Sequence, residues 1–257
     1  MSASGSATAG SEVLLRGLDI TRRWGGLVAV DAVTLDLKRG EVHAVIGTNG
    51  AGKSTLINIL SGEIEPSAGR VELLNQDVTG WSQPRRARAG LGRSYQRTTI
   101  YPAFSVFENC RLAAQARHPQ AWRWWQRADR CRFSNEAALA AVQRTGLFHV
   151  MERTAGLLSH GQKRQLEIAM CLATEPQVLL LDEPLAGMGA EETDRMLQLL
   201  ADLREGHAIL LVEHDMDAVF RIADRITVMV NGAVIASDTP PAVRANPLVQ
   251  AAYLGGD

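Results

Sequence analysis

The sequence predicts an α/β fold built on a mainly parallel sheet, and three observations carry that reading. Apolar runs of strand length recur along the chain. Segments with helical spacing separate them, and the first run opens directly into a glycine-rich loop. In such a sheet ligands gather at the carboxyl ends of the strands, so residues following each run are candidates for chemistry.

Taken in order, Val33, Leu35 and Leu37 alternate with Thr34, Asp36 and Lys38, which predicts a half-buried strand. Val42-His43-Ala44-Val45-Ile46 is nearly continuous in apolar character, as in a central strand covered on both faces. The segment 53–60 carries Leu56, Ile59 and Leu60 at helical spacing. The middle of the chain, 98–154, has few β-branched runs and many Ala, Arg and Gln, and predicts a helical insertion. Val178-Leu179-Leu180-Leu181 is a second buried strand, closed by Asp182-Glu183-Pro184. Met196, Leu199, Leu200 and Leu203 mark a helix, and Ala208-Ile209-Leu210-Leu211-Val212 a third strand, closed by Glu213-His214-Asp215. Residues 226–230 and 233–236 flank Asn231-Gly232, a hairpin pair because both turn positions need positive φ.

Composition bounds the function. The chain has 257 residues, 46% of them hydrophobic, enough for a substantial core. A net charge of −1 argues against a nucleic-acid partner. No apolar stretch approaches the roughly 20 residues that span a bilayer. Residues 1–11 are small and polar and read as a disordered tail, leaving 12–257 as the folded domain. Cys110, Cys131 and Cys171 are widely spaced and odd in number, which reads as reduced thiols in a cytosolic protein. His43, inside a strand, and His149, in a helical stretch, receive no functional role.

The chemistry begins at Gly47-Thr48-Asn49-Gly50-Ala51-Gly52-Lys53-Ser54. Two glycines separated by four residues, then Lys and Ser, between a strand and a helix, make a phosphate-binding loop. Lys53 is placed to neutralise the outer phosphates of a nucleoside triphosphate, and the Ser54 hydroxyl to ligate Mg²⁺. Asp182, at a strand end, is the acid expected to hold the Mg²⁺ shell, and Glu183 the group expected to activate the attacking water.

Leu158-Ser159-His160-Gly161-Gln162, followed by Asp182-Glu183, resembles the signature motif of ATP-binding cassette (ABC) ATPases. The resemblance runs from about residue 14 to 254, with the landmarks in the family's order. It implies an ABC nucleotide-binding domain: a core with a phosphate-binding loop, an antiparallel β subdomain, and a helical subdomain at about 98–168. It implies that Trp24 stacks on adenine and that Gln96 touches Mg²⁺ and water. His214 is then the switch histidine at the γ-phosphate. Gly47, Asn49, Gly50, Ala51, Gly52, Lys53, Ser54 and Thr55 would bind ATP. Ser159, Gly161 and Gln162, in the signature, would meet the ATP held by a second cassette.

Two positions depart from the family pattern: His160 replaces a glycine, and Gly189 stands where most members have an aspartate. The implied assembly is a head-to-tail dimer, of identical or paralogous cassettes, with two ATPs at its interface. Two integral-membrane permeases and, indirectly, a periplasmic solute-binding protein complete it, and the chain would lie peripherally on the cytoplasmic face of the inner membrane. Trp24-Gly25-Gly26-Leu27-Val28-Ala29-Val30, Ala186-Gly187-Met188, Val212-Glu213-His214-Asp215-Met216 and, most specifically, Asn246-Pro247-Leu248-Val249-Gln250-Ala251-Ala252-Tyr253-Leu254-Gly255 resemble importers of branched-chain and other hydrophobic amino acids. Ser159-His160-Gly161-Gln162 also resembles urea and short-amide importers. A non-transport ABC ATPase and a lipid-export cassette are the rival readings. Trp122, Trp124 and Trp125, with Arg123 and Arg127, are candidates to border the permease groove.

Overall fold

The computed structural model describes residues 12–95, 99–117 and 131–254. The 1–11 tail, Gln96 and the cluster of Trp122, Arg123, Trp124, Trp125 and Arg127 lie outside the described residues. Two sheets form the framework. The antiparallel one contains β1 (Val13–Trp24), β2 (Leu27–Lys38), β4 (Ala68–Leu73) and β5 (Gln76–Asp77), in the order β2-β1-β4-β5. The other contains β3 (Val42–Gly47), β6 (Leu91–Arg93), β7 (Val178–Asp182), β8 (Ala208–Val212), β9 (Arg225–Val230) and β10 (Ala233–Asp238). Its order is β10-β9-β3-β8-β7-β6, and every pairing is parallel except the β9–β10 hairpin. Asn231 and Gly232 turn that hairpin at φ of 49° and 84°.

The central strands are apolar throughout because both faces are covered. Val42, Ala44 and Ile46 of β3, Leu179 and Leu181 of β7, and Ile209 and Leu211 of β8 belong to one apolar cluster. Their neighbours Val45, Leu180 and Leu210 belong to a second cluster on the opposite face. That second face carries α1 (Lys53–Ser61), whose Leu56, Ile57, Ile59 and Leu60 sit between the two sheets, against Leu14, Ile20, Val33, Leu35 and Leu37. Each such side chain contributes about 1.5–3 kcal/mol on burial, so α1 and the loop before it are held on a rigid base.

Arg86, in α2 (Gln83–Arg88), is fully buried and fastens the far end of α1. Its guanidinium donates to the carbonyls of Ile59 and Leu60 at 2.8 Å, and to those of Thr79 and Trp81. A cation at a helix C-terminus meets the orphan carbonyls and the negative end of the dipole.

Between β6 and β7 lie α3 (Val106–Arg117), α4 (Arg132–Arg144) and α5 (His160–Ala173). Cys110, Ala114, Ala138, Ala141 and Ala169 let these helices approach closely, and their core is continuous with the outer face of the parallel sheet. Burial pushes the Cys110 and Cys171 thiols up to about 12, so both stay protonated at neutral pH. Helices α6 (Ala190–Arg204) and α7 (Met216–Ile222) follow β7 and β8, and α8 (Pro240–Ala245) and α9 (Pro247–Leu254) close the described chain.

His43 is a structural residue. One ring nitrogen, Nδ1, donates to the Asp36 carbonyl at 3.0 Å, and Nε2 accepts from the Thr227 hydroxyl at 2.7 Å, an assignment that follows from the partners. Burial pushes the imidazole down to about 4. The unfolded chain therefore binds this proton first as pH falls from ~6.5, and stability is lost through the window between the two values. Urea unfolding at pH about 7.5 and about 5 is expected to show a loss about 2 kcal/mol larger for the native chain than for His43→Gln.

Candidate functional site

The three strand ends singled out in the sequence lie side by side, because β3, β8 and β7 are consecutive parallel neighbours. The loop after β3 is shaped by close packing. A Cβ on Gly47 would lie 2.2 Å from the Met229 carbonyl oxygen, and one on Gly52 would lie 2.2 Å from that of Ala29. Gly52 also has φ +97°, open to glycine at little cost. The Asn231–Gly232 turn braces the loop from outside: the Gly232 N–H donates to the Ala51 carbonyl, and the Asp31 N–H to that of Gly232.

Lys53 is buried, and its Nζ donates to the carbonyls of Gly47 at 2.7 Å and Thr48 at 3.1 Å. Burial lowers its pKa, while the charges of Glu183 and Asp182 hold it up. Gly52 is the N-cap of α1 and supplies no side-chain cap. The N–H groups of Lys53, Ser54 and Thr55 therefore have no intrahelical acceptor, and they stand at the positive end of the helix. Asn49, Gly50 and Ser54 are exposed, whereas Ala51 is buried against the core. This arrangement fits a polyphosphate.

The residues present also fit Mg²⁺. Among the described residues no group of three or more His, Cys, Asp or Glu could hold a metal. A hydroxyl and one carboxylate suffice when phosphate oxygens and water complete the shell, and Ser54 and Asp182 are the two donors that would fit that role. Asp182 is buried, its N–H donates to Ser94 Oγ at 3.3 Å, and desolvation raises its pKa against the pull of Arg93, Lys53 and Arg164.

Glu183 has φ of 49°, a left-handed conformation that costs an L-residue roughly 1–2 kcal/mol. Neighbouring bonds hold it: the Glu183 N–H donates to the Val212 carbonyl at 2.9 Å, and the Ala186 N–H to the Glu183 carbonyl at 3.2 Å. His214 is exposed, with Nδ1 4.0 Å from Glu183 Oε1 and 3.8 Å from Glu213 Oε2. Glu213 itself is fully buried, and desolvation raises its carboxyl pKa. Trp24, at the end of β1, is 43% exposed, so it is no core aromatic; the Arg22 guanidinium lies 4.9 Å from its ring centre.

Ser159 is the N-cap of α5 in a reciprocal capping box. Its Oγ accepts from the Gln162 N–H at 3.2 Å, and Gln162 Oε1 accepts from the Ser159 N–H at 3.1 Å. Helix α5 thus begins at His160. Glu192 of α6 lies against this turn: Ser159 Oγ donates to its Oε1 at 3.4 Å, and a Cβ on Gly161 would fall 2.5 Å from that oxygen.

His160 Nε2 is 3.0 Å from the Ala186 carbonyl oxygen, which ties the signature turn to the segment after Glu183. At Gly189 a Cβ would meet nothing within 4 Å, so packing does not exclude a side chain there. Deeper in α5, Arg164 and Glu167 form a buried pair at 2.9 Å. Arg164 donates to the Tyr95 carbonyl and Glu167 accepts the Thr99 N–H, so the pair anchors both flanks of the segment containing Gln96.

Comparison with known proteins agrees with this geometry. The family model described as "ABC transporter" matches residues 30–186. The chain belongs to the ABC transporter ATP-binding family. A second model, "Branched-chain amino acid ATP-binding cassette transporter", matches residues 233–257, which include the stretch 246–255 that was most specific in the sequence. The chain is 38% identical over 258 residues to the high-affinity branched-chain amino acid transport ATP-binding protein BraF of Pseudomonas aeruginosa, covering 95% of this chain and 99% of the relative. It is 39% identical over 253 residues to LivG, of the same description, from Escherichia coli, with coverages of 95% and 99%. A crystal structure of the ADP conformation of an ABC transporter cassette superimposes with a TM-score of 0.83 at 28% identity, covering 95% of this chain and 100% of that one.

As a member of this family the chain is an ATPase whose hydrolysis is coupled to transport. ABC cassettes of this kind bind ATP and work as dimers with membrane permease subunits. Among the described residues no helix is long and apolar enough to cross a membrane.

Proposed function

We propose that this chain is the ATPase subunit of an importer for branched-chain or other hydrophobic amino acids. The observation that carries the solute class is the match of residues 233–257 to the branched-chain cassette model, supported by whole-length similarity to BraF and LivG. Uptake of labelled leucine and labelled urea by cells lacking the chain, with and without its restoration, tests it. Restored leucine uptake supports the reading, and restored urea uptake alone replaces it with the amide class.

In this reading MgATP lies between the glycine loop of one cassette and the signature turn of a second. Lys53 and the N–H groups at the start of α1 hold the phosphates, Ser54 and Asp182 supply the Mg²⁺ ligands, and Trp24 offers its open face to the adenine. Bound Mg²⁺ would supply charge neutralisation at the phosphates. Glu183 takes the proton from the attacking water, His214 contacts the terminal phosphate, and Gln96 has the role of touching Mg²⁺ and water. Ser159, Gly161 and Gln162 close the site from the partner, helped by the positive end of α5. The helical insertion, about 98–168, couples this closure to two permeases at the cytoplasmic face of the inner membrane, with a periplasmic binding protein delivering the solute.

The surface proposed for the permeases is the stacked pair Tyr101 and Phe104, both exposed, with ring centres 5.5 Å apart. Exposed Leu157 lies beside them, because Gly156 N–H donates to the Pro102 carbonyl and Ala155 N–H to that of Phe104. Exposed aromatic rings are frequent anchors of protein interfaces. Replacing Tyr101 and Phe104 by Ser is expected to leave ATP affinity unchanged and to reduce copurification with the permeases at least tenfold, read by pull-down from detergent-solubilised membranes.

A further inference from the structure

We infer that Glu213 is a positioning residue for hydrolysis, a buried bridge that sets the base Glu183 and the switch residue His214 in fixed relation. The inference rests on the proposed role of Glu183. It starts from the two oxygens of one carboxylate: Oε1 accepts from the Leu185 N–H at 2.8 Å, and Oε2 from the His214 N–H at 3.2 Å. The first belongs to the loop after β7, the second to the loop after β8. Residue 213 has no solvent exposure, so neither oxygen has water as a substitute donor.

The loop it holds needs holding. Glu183 sits in the left-handed region two residues before Leu185, and strained backbone of this kind persists only where its surroundings over-determine it. The backbone of β7 and β8 fixes the start of the loop through Glu183 N–H and the Val212 carbonyl. Glu213 fixes the continuation, at the Pro184–Leu185 peptide. The same side chain orders the backbone of His214, whose ring lies within 4.0 Å of both carboxylates. A shift of about 1 Å in a catalytic group is enough to cost a hundredfold in rate, which is why such a bridge matters.

The chemistry of the bridge requires two acceptors. Glu213→Gln keeps the shape but turns an NH₂ donor toward one of the two N–H groups. Measured on the full chain, this variant is expected to lose at least tenfold in kcat while its ATP affinity stays within about twofold. Combined with Glu183→Gln, it is expected to cause a further loss smaller than the tenfold it causes alone, because one of the two groups it positions is already gone. Amide hydrogen exchange is expected to rise in peptides 183–189 and 212–218 and to stay unchanged elsewhere.

Glu213→Asp, too short to reach both amides, is expected to give the same split and serves if the Gln variant does not fold. Unchanged kcat in both variants overturns the inference. So does a joint fall of kcat, ATP affinity and melting temperature, which would mark Glu213 as a general packing residue. Failure of the underlying reading looks different: Glu183→Gln alone would then hydrolyse ATP normally, while the exchange signature of Glu213→Gln would persist.

Discussion

Glu183→Gln is expected to bind ATP with native or higher affinity and to turn it over at least a hundredfold more slowly. The substitution is nearly isosteric and keeps the hydrogen-bonding reach of the side chain, but an amide cannot take a proton from water. General-base catalysis contributes about 10²–10⁴ in rate, and the loss should fall in that range. The phosphate side of the site is left intact, because Lys53 draws its hydrogen bonds from Gly47 and Thr48 and not from Glu183. In the proposed placement, removing this carboxylate from beside the γ-phosphate would also relieve repulsion. Bound ATP should therefore hold two cassettes together, and size-exclusion chromatography with ATP should show a dimer that the native protein forms only transiently. Phosphate release at the native rate by this variant would remove Glu183 from the mechanism and, with it, the significance of its strained backbone.

The fold and the site were legible in the sequence to different depths. The parallel sheet was readable because burial on both faces writes a continuous apolar run, as in β3, β7 and β8. The glycine loop was readable because the reasons for its glycines are local: a turn, and backbone approaching within contact distance. Strand β1 gave no such signal. Its alternation with β2 is broken by register shifts near Gly17, Ile20 and Arg22, and Asp19 lies at positive φ.

Residues whose role depends on long-range partners were also hidden. Arg86 is one of four arginines in Arg85-Arg86-Ala87-Arg88 and its surroundings up to Arg93, and nothing local distinguishes it from its exposed neighbour Arg85; only the carbonyls of α1, 26 and 27 residues away, make it a helix cap. Glu213 read as the polar end of a strand. Its function as a bridge exists only once β7 and β8 are paired and Leu185 comes within 2.8 Å. Glu192 was likewise silent, since its contact with Ser159 spans 33 residues. The signal that could have flagged Glu213 is its position one residue after a fully buried strand and one before His214, where an acid is held close to other acids.

Lys53→Ala is expected to fail at the earlier step. The ammonium is the only side-chain donor seen crossing the loop among the described residues, reaching two carbonyls at 2.7 and 3.1 Å. Its removal withdraws positive charge from the phosphates and also leaves the Gly47 carbonyl, inside the core side of the loop, without that donor. A hydrogen bond involving a charged group is worth about 1.5–3 kcal/mol, so ATP affinity should fall roughly ten- to hundredfold. Isothermal titration with ATP in the presence of Mg²⁺ would measure it, and the thermal midpoint without nucleotide should change little, since α1 is anchored by its apolar face and by Arg86 rather than by Lys53. The two substitutions are expected to divide the site by chemistry: loss of Lys53 to lower ground-state binding, and loss of Glu183 to leave binding and remove the proposed proton acceptor. If Lys53→Ala instead bound ATP normally and lost only turnover, the charge would be acting on the transition state alone, and the cradle would owe its affinity to the N–H groups of Lys53, Ser54 and Thr55 at the start of α1.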